Sequence, residues 1–128
     1  MALRTPLVIG SDGNPEELPS GDLICASAVF SVVTINTTPY NINDEAVILA
    51  DPQTFGSNIT VNLPTAASRF TVGFTELLII KNTSTTGNRK VLVVPNGIEE
   101  IDGSGSTVSL NKFDSLTIVS DGFNWWIV

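Results

Sequence analysis

Histidine is absent from this sequence. Its absence removes the commonest general base and the commonest metal ligand, so neither a Ser-His-Asp triad nor a histidine-bound zinc site can be assembled from this chain alone. Cysteine occurs once, as Cys25, which excludes an internal disulfide. Its place in the apolar run from Leu23 to Val33 reads as a small buried thiol, because a nucleophilic thiolate wants a histidine beside it. Basic residues are scarce as well: six Lys and Arg face thirteen Asp and Glu, for a net charge of −7, with no basic cluster. A nucleic-acid backbone would be repelled, so no nucleic-acid partner is expected, and the acidity itself reads as a device for solubility. Long hydrophobic runs are missing too. Leu77 to Ile80 and Val91 to Val94 are cut by polar neighbours, far short of the ~20 residues of a membrane helix. The opening Met1 to Gly10 has one positive charge and an apolar stretch too short for a signal peptide. The expectation is a protein made in a cytoplasm, with no membrane partner and no cofactor.

The 128 residues suit one domain, and a chain of this size buries roughly two-thirds of its unfolded surface, enough for a real core. Residues 1–22 differ from the rest. They hold Pro6, Pro15 and Pro19, the turn Ser11 to Asn14 and the stretch Glu16 to Asp22. Proline at that density blocks helix and central strand, which predicts an extended N-terminal arm with one apolar patch, Leu7-Val8-Ile9. Stretched out, such an arm reaches ~70 Å, several times the ~14 Å radius of gyration of the domain.

From residue 23 to 128 the chain is rich in Val, Ile and Thr, in short apolar runs separated by Gly, Asn, Asp and Ser. That pattern predicts an all-β domain with strands over Ile24 to Ile35, Ala46 to Ala50, Ile59 to Leu63, Thr71 to Phe74, Leu77 to Asn82, Lys90 to Val94, Thr107 to Leu110, Ser115 to Ser120 and Asn124 to Val128. Asp121-Gly122 is a favoured hairpin turn, and Glu100 to Gly103 reads as another strand end and turn. No 3.6-residue period persists, although Ala66 to Lys81 leaves room for a short helix. Eight or nine short strands favour a β-sandwich or jelly roll.

The chemistry that remains is thin. Glu99, Glu100 and Asp102 form a carboxylate group, and glycoside hydrolysis needs only two carboxylates ~5–9.5 Å apart. A small sandwich seldom offers the cleft that grips a sugar, so a solvated acidic turn is the ordinary reading. The Asp-Gly pairs at Asp12, Asp102 and Asp121 lack calcium-loop spacing and read as turns. Asn36, Asn58 and Asn82 head glycosylation-acceptor triplets that read as chance in an Asn- and Thr-rich chain. Gly103 to Ser106 lacks the helix and the Lys of a phosphate cradle. No catalytic, cofactor-binding or metal-binding residue is expected, and the chain reads as a binding protein.

Two stretches carry a resemblance. Met1-Ala-Leu-Arg-Thr-Pro-Leu-Val-Ile-Gly, continued by Leu18-Pro19-Ser20-Gly21-Asp22, resembles the amino-terminal segment of tailed-bacteriophage virion proteins, often tail fibres. Asn62 to Ala66, Ile80-Lys81-Asn82, Gly87, Ile101-Asp102-Gly103, Leu110, Ser115 and Ser120 to Trp125 are similar to the β domain of phage fibre tips and head decoration proteins. The resemblance implies a homotrimer around a threefold axis, with arms gripping a neighbouring virion protein. With no coiled-coil or shaft repeat in the sequence, it points to a capsid decoration (cement) protein on the virion surface. Its partner would be the major capsid protein, attached through Arg4, Pro6, Leu7, Val8 and Ile9. The alternative is a small tail or fibre-tip protein that adsorbs to host glycan through loops such as Asn36 to Tyr40 or Ser84 to Arg89.

Adjacent tryptophans near the end sharpen this expectation. Neighbours in a strand point to opposite faces. The family ending, Asp-Gly-x-Asn-Trp followed by a variable residue, implies that Trp125 and Ile127 face the core with Ile118 and Leu116, and that Trp126 and Val128 face a subunit contact. Two other readings stay open: Trp126 covers the sandwich edge beneath its own arm, and Leu7 to Ile9 folds back as an edge strand of its own sheet.

Overall fold

The computed structural model describes residues 7–9, 15–17 and 30–128. Arg4, Pro6 and Cys25, the side chains of Leu7, Val8 and Ile9, and residues 24–29 of the first expected strand lie outside what is described.

Strands dominate. In chain order they are β1 (Leu7–Ile9), β2 (Pro15–Glu17), β3 (Val32–Ile35), β4 (Tyr40–Asn41), β5 (Val47–Ala50), β6 (Ile59–Asn62), β7 (Phe70–Thr71), β8 (Phe74–Thr75), β9 (Leu78–Asn82), β10 (Val91–Val94), β11 (Val108–Leu110), β12 (Ser115–Ser120) and β13 (Trp125–Ile127). One α-helical turn, α1 (Pro52–Phe55), and a 3₁₀ turn over Ala66–Arg69 complete the regular structure of the described residues. The sequence of α1 accounts for its brevity. Asp51 caps it by accepting the Thr54 N–H at 3.0 Å, Pro52 needs no N–H partner at the first helical position, and Gly56 ends it at φ +93°.

Two sheets make up the body, one ordered β13-β12-β9-β5-β3 and the other β11-β10-β6-β4. From β3 to β10 the chain mostly alternates between them, so that β3, β5 and β9 lie parallel in one sheet while β4, β6 and β10 lie parallel in the other. Parallel neighbours need a long crossover, and each crossover here carries a strand of the opposite sheet. The result is a flattened coil closed by the antiparallel strands β11, β12 and β13. The four parallel ladders depart from the all-antiparallel pairing of a jelly roll. Alternation of side chains fixes which face is buried but says nothing of strand direction, so the sequence pattern is silent on this point.

Ile48, Ala50, Leu78, Ile80, Leu116, Ile118 and Trp125 from the five-stranded sheet join Ile59, Val61, Val91, Val93 and Leu110 from the other in one buried cluster. Fully buried Asn82 pins the two sheets together. Its Nδ2 donates to the carbonyls of Leu110 (3.0 Å) and Arg89 (3.2 Å), and its Oδ1 accepts the Ser84 N–H at 3.0 Å. The triplet that begins at Asn82 is thus a structural element, and its asparagine is closed to glycosylation.

Two expected elements change shape. Thr71 to Phe74 is not one strand but the bend of the β7–β8 hairpin, turning at Val72-Gly73 with Gly73 at φ +85°. Six residues of the expected arm also pair, β1 with β2, from Leu7 opposite Glu17 to Ile9 opposite Pro15. Proline is tolerated there because a two-stranded ladder leaves an outer edge that needs no donor. That ladder belongs to neither of the two main sheets.

Candidate functional site

The β12–β13 hairpin separates the two tryptophans. Trp125 is opposite Ser120 and 0% exposed, whereas Trp126 is opposite Val119 and 44% exposed. Leu116 and Ile118 are buried on the same side as Trp125. Ile127 corrects the expectation: it shares that side, opposite Ile118, yet is 45% exposed, because β13 is the outermost strand of its sheet. Val128 is 69% exposed.

The turn is longer than a two-residue Asp-Gly hairpin, since Ser120 and Trp125 enclose four residues and Asp121 N–H donates to Asn124 O at 3.1 Å. Asp121 organises it. Its Oδ1 accepts the N–H groups of Phe123 (2.8 Å) and Asn124 (2.7 Å), and its Oδ2 accepts the Trp126 indole N–H at 2.7 Å. The Asn124 N–H, the Trp126 indole and the Phe123 N–H hold its carboxyl below the usual aspartate range, against a small opposing effect of burial. Trp126 is therefore held in one orientation by the turn.

Strand addition along β13 is already blocked. Trp125 N–H donates to Glu100 O (2.9 Å), Asp102 N–H donates to Trp125 O (3.0 Å), and Asp102 Oδ1 accepts the Ile127 N–H (2.8 Å). An edge with these three groups taken offers little ladder to another chain.

Pairing registers then define the outer face of the five-stranded sheet. Val32, Val47, Ile79 and Thr117 stand opposite one another on β3, β5, β9 and β12, and Val128 N–H donates to Thr117 O at 3.0 Å. This row crosses the whole sheet with no charged side chain in it. Trp126 and Val119 pair on one side of it. On the other, Thr34, Leu49, Lys81 and Ser115 form a row whose one charge is Lys81. None of the thirteen acidic residues lies in these rows. Val32, Trp126 and Val128 are exposed at the rims, and Val47, Leu49, Ile79 and Val119 are half-buried. The outer face of the other sheet differs, because Asn41, Thr60, Asn62 and Ser109 dilute Leu92 and Val94. A periodic apolar residue on both sides of a strand is the sequence signal for such a face. Val47-Ile48-Leu49-Ala50 and Leu78-Ile79-Ile80 carry it.

Groups with chemical potential are tied up in the fold. Glu99 accepts the Ala66 N–H with both oxygens at 3.0 Å, Asp102 caps β13, and Glu100 is exposed. The carboxylates of Glu99 and Asp102 thus support chain segments. Arg69, buried in the 3₁₀ turn, donates to Glu76 (3.0 Å), Asn43 O (2.9 Å) and Glu45 O (2.6 Å). Tyr40 Oη donates to Glu45 Oε1 at 2.5 Å; this bond first, then burial and the Glu45 and Asp44 charges, push the Tyr40 hydroxyl up to about 12. For Glu45, burial opposes ionisation, but the Tyr40 hydroxyl, the Asn43 N–H and the Arg69 charge together bring its carboxyl below the usual value. A polar cleft of about 370 Å³ lies between Asn41, Asn62, Pro64, Pro95 and Asn96, with Asn62 Nδ2 donating to Asn41 Oδ1 at 2.9 Å. Among the described residues no set of three or more His, Cys, Asp or Glu is arranged to hold a metal, and no helix is long and apolar enough to cross a membrane.

The chain matches no known protein-family model and no curated protein.

Proposed function

We propose that this protein is a non-enzymatic structural protein of a bacteriophage virion, a capsid decoration (cement) protein that binds the head surface as a homotrimer and stabilises the shell. The observation that carries the reading is the wide, acid-free outer face of the five-stranded sheet, with Trp126 pre-set at its rim. An acidic chain that keeps such a face is built to meet other protein surfaces. The two sheets are read as the layers of a β-sandwich. Residues 1–22, with Arg4, Pro6 and Leu7 to Ile9, are read as the segment that engages the major capsid protein, by resemblance to phage virion proteins in Met1 to Gly10 and Leu18 to Asp22. Stabilisation follows from mass action, since a ligand that binds only the assembled shell shifts the balance toward it.

Cryo-electron microscopy of particles carrying the protein tests the reading. Density on the head, together with loss of heat resistance in particles stripped of the protein, is the expected result; density confined to the tail overturns it. The polar cleft around Asn41, Asn62 and Asn96 favours a second reading, a small tail-fibre or receptor-binding protein that adsorbs to host surface glycan. Under that reading stripped particles keep their heat resistance and lose adsorption.

A further inference from the structure

We infer that Asn96-Gly97 is a self-modification site, at which the chain, without an enzyme, converts the Asn96 carboxamide to a carboxylate through a cyclic imide and so charges the polar cleft that Asn96 lines. The inference stands apart from the virion reading, because it rests on the chemistry of one turn.

Asparagine is among the thermolabile residues, and Asn96 is the one asparagine of this chain that precedes a glycine. Imide closure requires the backbone nitrogen of the following residue to reach the asparagine Cγ, and a side chain on that residue crowds the approach. Gly97 has no Cβ, and a Cβ built there would meet nothing within 4 Å, so the turn is open on that side. Asn96, Gly97 and Ile98 are all exposed.

Local structure presents the pair. Asn96 O accepts the Glu99 N–H at 2.9 Å, and Gly97 has φ +55° while Ile98 is not among the residues of positive φ. A positive φ at the first central position alone is the pattern of a type II′ turn, which favours glycine there. Both ends of the turn are fastened: Pro95 is buried before it, and Glu99 accepts the Ala66 N–H with both carboxylate oxygens after it. The bond that closes the turn uses only the Asn96 carbonyl. Among the described residues it leaves the Asn96 carboxamide and the Gly97 N–H without a partner.

Elsewhere the fold restrains the same chemistry. Asn41 and Asn62 bond to each other, Asn58 accepts the Lys90 N–H, Asn124 accepts the Glu100 N–H, and Asn82 is buried. At Asp121-Gly122 the Gly122 N–H donates to Ser120 Oγ at 3.0 Å, and three donors hold the carboxylate. At Asp102-Gly103 the carboxylate is tied to the Ile127 N–H.

Water is the only co-reactant. The Gly97 nitrogen gives up its proton and attacks Asn96 Cγ; the N–Cγ bond forms, the Cγ–Nδ2 bond breaks, and the amide leaves with a proton as ammonia. Water then opens the imide. Cleavage of N–Cγ leaves an aspartate, whereas cleavage between the Gly97 nitrogen and the main-chain carbonyl carbon leaves an isoaspartate, whose backbone runs through Cγ and is one methylene longer. Either product puts a carboxylate into a cleft whose lining residues carry no charge. The isoaspartate also lengthens the turn that Glu99 anchors.

The test uses the full chain, held in mildly alkaline buffer and followed by isoelectric focusing and by mass mapping of its peptides. A form with one added negative charge is expected to accumulate, faster as pH rises because the attacking nitrogen must lose its proton. Mapping is expected to place the change in the peptide that contains Asn96, with part of the product labelled by an isoaspartyl methyltransferase. Asn96→Gln, whose longer side chain would need a six-membered ring, is expected to lose the acidic form, and fresh Asn96→Asp to focus with it while staying unlabelled. An Asn96 that stays intact in the folded chain while the same chain in urea converts overturns the inference, as does an acidic form that persists in Asn96→Gln. A product free of isoaspartate overturns the imide route.

Discussion

Replacing each tryptophan by alanine in turn tests the separation of their roles most directly. Trp125 is fully buried between β12 and the Glu100 to Asp102 segment. An indole covers ~150–250 Å², which at ~25 cal/mol per Å² is ~4–6 kcal/mol. Area bookkeeping is an upper bound, and large-to-small core changes of this kind cost about 3–5 kcal/mol. A domain has only ~5–15 kcal/mol in total, so Trp125→Ala removes about a fifth of it or more. Among the described residues the Trp125 Nε1 has no hydrogen-bond partner, so Trp125→Phe loses volume without breaking a bond seen there and is expected to cost about 1–2 kcal/mol.

Trp126 differs on each count. It is already 44% exposed, its removal leaves no enclosed cavity, and its bond to Asp121 is open to solvent. Trp126→Ala should cost about 1–2 kcal/mol of folding stability, most of it from lost cover over Val119. Urea unfolding followed by far-ultraviolet circular dichroism, at matched protomer concentration and with equal m-values, reads all three variants. Equal losses for Trp125→Ala and Trp126→Ala would refute the division into a core indole and a surface indole. So would a loss below about 1.5 kcal/mol for Trp125→Ala.

Tyr40 is the sole tyrosine, so its tyrosinate absorbance reports one group. The midpoint is expected near 12, and Glu45→Gln should return it toward the ordinary value of 10. Because the folded form holds the proton more tightly than the unfolded chain, this contribution to stability is complete below pH 10 and is lost as pH rises toward 12. A midpoint unmoved by Glu45→Gln would sink the pairing. Asn82→Ala is expected to cost about 2–4 kcal/mol, since it strands the carbonyls of Leu110 and Arg89 and the Ser84 N–H in a buried setting. Thermal unfolding measures it, and a change in melting temperature indistinguishable from zero would remove Asn82 as the pin between the sheets.

Much of the fold was legible because β-structure writes itself in local chemistry. Val, Ile and Thr runs broken by Gly, Asn and Asp marked β5, β6, β9, β10, β11, β12 and β13 to within two residues. Period-two alternation placed Leu116 with Ile118, and Trp125 with Ile127, on shared faces, and the family resemblance assigned those faces to the core; of the four, Trp125, Leu116 and Ile118 are buried. Short elements escaped for an equally physical reason. The two-residue strand β4 is held by a partner distant in sequence, β6 at Asn62, rather than by its own residues, and α1, though capped locally by Asp51 and Gly56, is a single turn too short to show a 3.6-residue period.

Composition and periodicity by themselves determined that this chain is all-β, acidic and without histidine chemistry, because residue type and spacing act locally. Only the tertiary structure decided that the inner strands run parallel, that Ile127 stands at an open edge while the Trp125 N–H and C=O and the Ile127 N–H are already taken, and that one outer face carries no acidic residue in the rows that cross its strands. Those outcomes depend on which strands become neighbours and in what register, and a linear pattern of alternating residues is compatible with many such pairings.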